Sequence, residues 1–114
     1  MIFPEADIAK LGELLRAKEA ELGTEIYLIT DEPYRELYYG KGTLPWLPDL
    51  YDRTVVAYSY SKSLSLPGER IGYIYVPDAA TDSRDLYLDI AGAARAAGHV
   101  CAPSLWQKTI GKCT

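Results

Sequence analysis

The sequence is short of the residues that most metal and nucleophile chemistry uses. It holds one histidine, His99, and two cysteines, Cys101 and Cys113, in 114 residues. A lone histidine beside Gly98, at an expected helix end, supports neither a metal site nor a His-based catalytic triad. The cysteine spacing matches neither a redox pair nor a zinc half-site, and two such thiols fit a reducing cytoplasm. No apolar run approaches the length of a bilayer span, and the opening MIFPEADIAK is not a secretory signal, so no membrane partner is expected. Nor is there a basic excess: a net charge of -4 argues against nucleic acid as a partner. Internal repeats and low-complexity segments are missing too. What remains is an ordinary globular balance, 48% hydrophobic and 25% charged. It suits one compact domain or part of a larger one.

The pattern along the chain predicts an α/β order. A helix is expected from Glu5 to Leu22, with Pro4 at its entrance, Gly23 after its end, and Ile8, Leu11, Leu15 and Leu22 on one face. The apolar run Ile26–Ile29 reads as a buried strand. Residues 39–53 form a loop punctuated by Gly40, Gly42, Pro45 and Pro48, with room for one helical turn. Strands are expected at Thr54–Tyr58 and Ile71–Val76. The length between the first two allows a crossover and a parallel pair, whereas the short link through Pro67 and Gly68 suggests that the third runs antiparallel. Further on, Leu86, Ile90, Ala93, Ala94 and Ala97 give a helix face small enough to pack closely on a sheet. Gly98 ends that helix, and Pro103 opens a last one through about Gly111.

If the first two strands are parallel, their C-terminal ends share one rim, where open α/β sheets bind ligands. That rim carries Asp31, Glu32, Pro33 and Tyr34 after the first strand, and Ser59, Tyr60, Ser61, Lys62 and Ser63 after the second, with Arg70 beyond. An acid, a phenol, hydroxyls, a lysine and an arginine thus converge. Read singly, Asp31 is a turn residue and Arg70 an ion-pair partner for Glu69. The other lysines, Lys10, Lys18, Lys41, Lys108 and Lys112, read as solvated surface. Gly40-Lys-Gly-Thr43 has the wrong order for a phosphate loop, and Pro45 blocks the helix that such a loop should open. Trp106 reads as a packing residue, and Trp46, in a loop, as either a packing residue or a substrate contact.

The stretch DEPY followed by SYSKSLSLPGERIGY resembles the active-site core of the aspartate-aminotransferase-like, fold-type-I enzymes that use pyridoxal phosphate (PLP). In that family a serine precedes the Schiff-base lysine by three residues and an arginine follows it by eight. Ser59 and Arg70 keep those offsets from Lys62, and Asp31 and Tyr34 match the family's Asp-x-x-Tyr. The resemblance implies that Lys62 forms the Schiff base and shuttles a proton at the substrate Cα. It implies further that Asp31 pairs with the pyridine nitrogen, and Tyr34 with the ring's phenolic oxygen. Arg70, Ser59 and Ser61 would then receive the phosphate. Lys62 needs a form that can be neutral, which a desolvated site would favour.

The fold so implied is part of a three-layer α/β sandwich, with a small mixed sheet flanked by helices. The activity is transfer of an amino group between an amino acid and a 2-oxo acid, in a homodimer. A PLP-dependent β-lyase would use the same residues, and a non-catalytic remnant would keep them without chemistry; both alternatives stay open. The family's cofactor-contacting asparagine has no counterpart, since the sequence contains no asparagine. The upstream glycine-rich phosphate segment, the ring-stacking aromatic and the downstream small domain have no counterpart either. Residues 1–114 are therefore expected to be a partial cofactor-binding domain, inactive by itself.

Overall fold

A computed structural model describes residues 2–113. The elements follow the expected order. Helix α1 spans Glu5–Leu22, strand β1 Leu28–Asp31, a short 3-10 turn Arg35–Leu37 and a single helical turn, α2, Leu47–Leu50. Strand β2 covers Thr54–Ser59 and runs straight into α3, Tyr60–Ser63. A second 3-10 turn, Pro67–Glu69, precedes β3 at Gly72–Tyr75. Helices α4, Ser83–Ala96, and α5, Ser104–Ile110, complete the chain. None of these helices is long and apolar enough to cross a membrane.

The three strands form one mixed sheet in the order β1-β2-β3. The first pair is parallel, with Leu28 opposite Thr54 and Asp31 opposite Ala57. The second is antiparallel, with Tyr58 opposite Tyr73 and Ser59 opposite Gly72. Both relations match the expectation from link lengths. Helix α1 also has the expected bounds, because Gly23 takes up the left-handed conformation (φ 64°) and its N–H caps Glu19 O.

Two expectations need correction. The first strand lies two residues later than the apolar run. Glu19 Oε1 accepts from the Ile26 N–H and the Tyr51 hydroxyl donates to the Ile26 carbonyl, so side chains hold this backbone before the ladder begins. Nor is β1 a buried strand, for Ile29 is 73% exposed on an open face. Helix α4 does not pack tightly on the sheet either. None of its residues is buried; Leu86, Ile90 and Ala94 are half-buried, while Ala93 and Ala97 are exposed. An open cavity separates it from β2 and β3, so the small side chains do not bring the two backbones together.

The core gathers around β2. Tyr51, Thr54 and Val56 are almost fully buried, with Val55, Tyr58 and Ile71 beside them. Gly12 lets α1 come close to the end of α2, since a Cβ there would meet Leu50 O at 3.0 Å. Glu19 ties three segments together. Its carboxylate accepts from Ile26 N–H (2.9 Å) and Tyr51 O–H (3.0 Å) and pairs with Arg53 (3.2 Å). The Ile26 N–H above all, with Tyr51 and Arg53 also contributing, holds this carboxyl below the usual carboxylate range.

That has a consequence for acid stability. The folded chain binds the Glu19 proton less tightly than the unfolded chain does. The contribution is therefore complete above the ordinary value of 4.5 and is lost as pH falls through the lowered one. Thermal unfolding followed across this range should show the midpoint dropping with acid. Glu19→Gln should start lower and respond less; an equally steep acid response in that variant would remove Glu19 as the cause.

Candidate cofactor site

The parallel pairing of β1 with β2 does what the rim argument required: Asp31 and Ser59 emerge at the same edge of the sheet. Asp31 is the last residue of β1 and Ser59 the last of β2, the latter extended (φ -136°, ψ 145°) before α3 begins. Strand β3 returns antiparallel, so its start also lies at this edge, and Arg70 immediately precedes it. A cavity of about 590 Å³ opens there between the sheet and α4. Asp31, Ser59 and Arg70 all line it, together with Tyr58, Tyr73 and Tyr87.

The remaining expected residues lie off this cavity. Tyr34 is exposed on the turn after β1 and, with Asp31, lines a second, more apolar groove of about 890 Å³ that runs along α1 and β1. Lys62 sits in α3, exposed, with its Nζ 5.4 Å from the centre of the Tyr34 ring. This is a cation–π contact that brings together residues 28 positions apart. The amine is thus not desolvated in this chain, because the rim around it is open. Ser61 is half-buried and lines neither cavity.

Local geometry fixes these positions. Among the described residues no side chain hydrogen-bonds or pairs with the Asp31 carboxylate, and none of the ion pairs uses Arg70. Arg70 instead donates from Nη1 to Pro67 O at 3.0 Å, so the ion pair with Glu69 does not form. Its backbone lies in the left-handed region (φ 51°), as does that of Ser65 (φ 54°). Such a conformation costs a non-glycine residue about 1–2 kcal/mol, and it turns the loop back so that β3 can pair with β2. Beside it, Gly72 leaves no room for a side chain: a Cβ would stand 2.2 Å from Tyr58 O.

Several contributors escaped the sequence reading. Tyr58 and Tyr73 stack at 5.0 Å and line the cavity wall. Burial pushes the Tyr58 hydroxyl up to about 12. Two residues from buried Val56, Tyr58 shares its face of β2, a period-two signal that the sequence did contain. Arg35 fastens the loop beside Tyr34: it pairs with Glu32 at 2.6 Å, donates to Leu44 O and Pro45 O, and lies over Trp46. Trp46 also contacts Tyr75, so of its two expected roles the structure shows packing.

Comparison with known proteins agrees with this geometry. The chain is similar to an aminotransferase of Eubacterium rectale whose crystal structure is known. The identity is 54% over 99% of this chain and 28% of that one, with a TM-score of 0.95. A PLP-dependent aminotransferase from Streptococcus suis matches with a TM-score of 0.64 and 26% identity, over 90% of this chain and 24% of that one. A Bacillus subtilis protein named as a probable N-acetyl-LL-diaminopimelate aminotransferase is 32% identical over 73 residues. That stretch is 64% of this chain and 17% of that protein. The chain therefore spans between about a sixth and just over a quarter of the length of these relatives. The family described as aminotransferase class I and II matches residues 2–112, the stretch that holds the whole rim, and the chain belongs to that family.

Proposed function

We propose that these 114 residues form part of the cofactor-binding domain of a PLP-dependent aminotransferase, which moves an amino group between an amino acid and a 2-oxo acid. The observation that carries this reading is one cavity lined by a carboxylate, a hydroxyl and a guanidinium, next to a turn that presents a lysine. The donor set suits a protonated pyridine that bears a phosphate. Asp31 has a carboxylate with no competing partner, and Ser59 and Arg70 offer a hydroxyl and a planar fork. The Streptococcus suis relative is itself described as PLP-dependent.

When bound, pyridoxal phosphate supplies an aldehyde for amines and a ring that takes up electrons as a Cα bond breaks. The chain's own residues do the rest. Asp31 would accept a hydrogen bond from the ring N–H and keep the proton there, since a neighbouring carboxylate charge favours the charged form of its partner. Tyr34 donates its hydroxyl to the ring oxygen. Ser59 and Arg70 anchor the phosphate, with Ser61 as a further hydroxyl on the same turn. Lys62 Nζ holds the cofactor in the absence of substrate and afterwards moves the proton at the substrate Cα. We place the enzyme as a homodimer in the cytoplasm. The open faces at Ile29, Tyr73, Ile74 and Tyr75 support further covering surface, and the exposed thiols of Cys101 and Cys113 support a reducing compartment.

Incubation with pyridoxal phosphate, borohydride reduction and peptide mass spectrometry test this reading. Label concentrated at Lys62 is the expected result. Label scattered over Lys10, Lys18, Lys41, Lys108 and Lys112 would instead leave a fold with family ancestry and no working site.

A further inference from the structure

The turn that carries Lys62 and the turn that follows Tyr34 are far apart in sequence, yet one side chain grips both. Tyr58 is 8% exposed, and its hydroxyl lies 2.8 Å from Glu36 Oε2 and 2.7 Å from Ser63 Oγ. A carboxylate only accepts, so the single phenolic proton goes to Glu36 and the Ser63 hydroxyl donates to the Tyr58 oxygen. The chain Ser63→Tyr58→Glu36 thus has a fixed direction and a charged end, which strengthens it. Ser63 is the residue after Lys62, and Glu36 lies two after Tyr34. Tyr58 also meets the ring of Tyr60, the first residue of α3, edge-on at 5.1 Å. Both ends of the four-residue turn under Lys62 are therefore held by this one ring. The phenolic proton stays in place at every pH of interest, because burial first and Glu36 after it push its loss up to about 12.

Lys62 itself is exposed, and its one described contact is with the Tyr34 ring. A long side chain with so little around it points where its backbone sends it. We propose that Tyr58 is a positioning residue for the Lys62 amine, joining α3 to the Arg35–Leu37 turn through Ser63 and Glu36 and so setting the Lys62–Tyr34 pairing. The purpose of this clasp rests on Lys62 being the lysine that captures the cofactor; the clasp itself is tested without any cofactor.

A tyrosine that only satisfied its own hydroxyl would stabilise the fold without linking the two turns. The experiment compares the unaltered 114-residue chain with Tyr58→Phe, Ser63→Ala, Ser63→Thr and Glu36→Ala, singly and combined. One readout is amide hydrogen exchange over residues 34–37 and 60–66. The other is the acetic anhydride acylation rate of Lys62 relative to the other five lysines of the same chain. Tyr58→Phe, Ser63→Ala and Glu36→Ala should each raise the relative Lys62 rate by about fivefold, the scale of coupling between neighbouring residues. Each should speed exchange in both turns together, and Ser63→Thr should restore the original behaviour. Once Tyr58→Phe is present, adding Ser63→Ala or Glu36→Ala should change nothing more.

The proposal is overturned if Glu36→Ala leaves residues 60–66 and Lys62 unaffected, or if the effects of Ser63→Ala and Glu36→Ala persist without the Tyr58 hydroxyl. Should Tyr58→Phe fail to fold, the Glu36→Ala result decides alone, since Glu36 is exposed and its loss spares the core. Failure of selective PLP capture in the unaltered chain would overturn the cofactor reading alone, without changing either of these readouts.

Discussion

Lys62→Ala is expected to abolish borohydride-fixed capture of pyridoxal phosphate by this chain. If the parent protein is the aminotransferase proposed above, the same change should lower amino-group transfer by about 10³-fold, the scale of a lost general acid–base group. The exchange of the substrate Cα hydrogen with solvent should fall with it, because the proposed function gives that proton to Lys62 Nζ. The fold should not suffer. Lys62 is exposed, and its described contact is the cation–π approach to Tyr34 at 5.4 Å. A surface substitution of this kind changes stability by no more than about 0.5 kcal/mol. Loss of capture at unchanged unfolding midpoint is thus the specific signature. If instead the chain kept its labelled peptide after Lys62→Ala, another lysine would be the nucleophile.

The second large effect belongs to a residue with no chemistry of its own. Gly72 faces Ser59 across the antiparallel pair, and a Cβ there would lie 2.2 Å from Tyr58 O and 3.0 Å from Ser59 Cα. Those atoms are backbone, so no rotamer change relieves the clash; β3 must move away from β2. Gly72→Ala should therefore cost about 3 kcal/mol, the upper part of the range for overpacking. That is a large share of the stability of a small domain. Because Ser59 and Arg70 flank this crossing, PLP capture at Lys62 should fall as well. Denaturant unfolding beside the labelling assay checks both. A stable variant with normal capture would show that β3 can shift without disturbing the rim.

Much of this architecture was legible in the residues because its signals are local. Pro4 and Gly23 bound α1, and the link lengths between strands decided which pair runs parallel. The rim itself followed from that parallel relation, since strands that run the same way end on the same side. Where the reading slipped, a distant group had intervened. The first strand starts late because Glu19 and Tyr51, remote in sequence, hold the backbone of Ile26. The exposure of Ile29 and of α4 was illegible for a similar reason: an apolar run states that burial is favourable, not what supplies it.

The same division runs through the site. Residue types and their offsets around Lys62 were enough to point to the family, and through that resemblance to propose Asp31, Tyr34, Ser59, Ser61, Lys62 and Arg70 as a set. Which of them share a cavity was decided only by the fold. Asp31, Ser59 and Arg70 meet on one wall, Lys62 meets Tyr34 instead, and Ser61 turns to neither opening. The bond from Tyr58 to Glu36 and Ser63 belongs wholly to the tertiary structure. A hydrogen bond needs two atoms within about 3 Å, and no spacing along the chain tells which residues on different elements will meet at that distance.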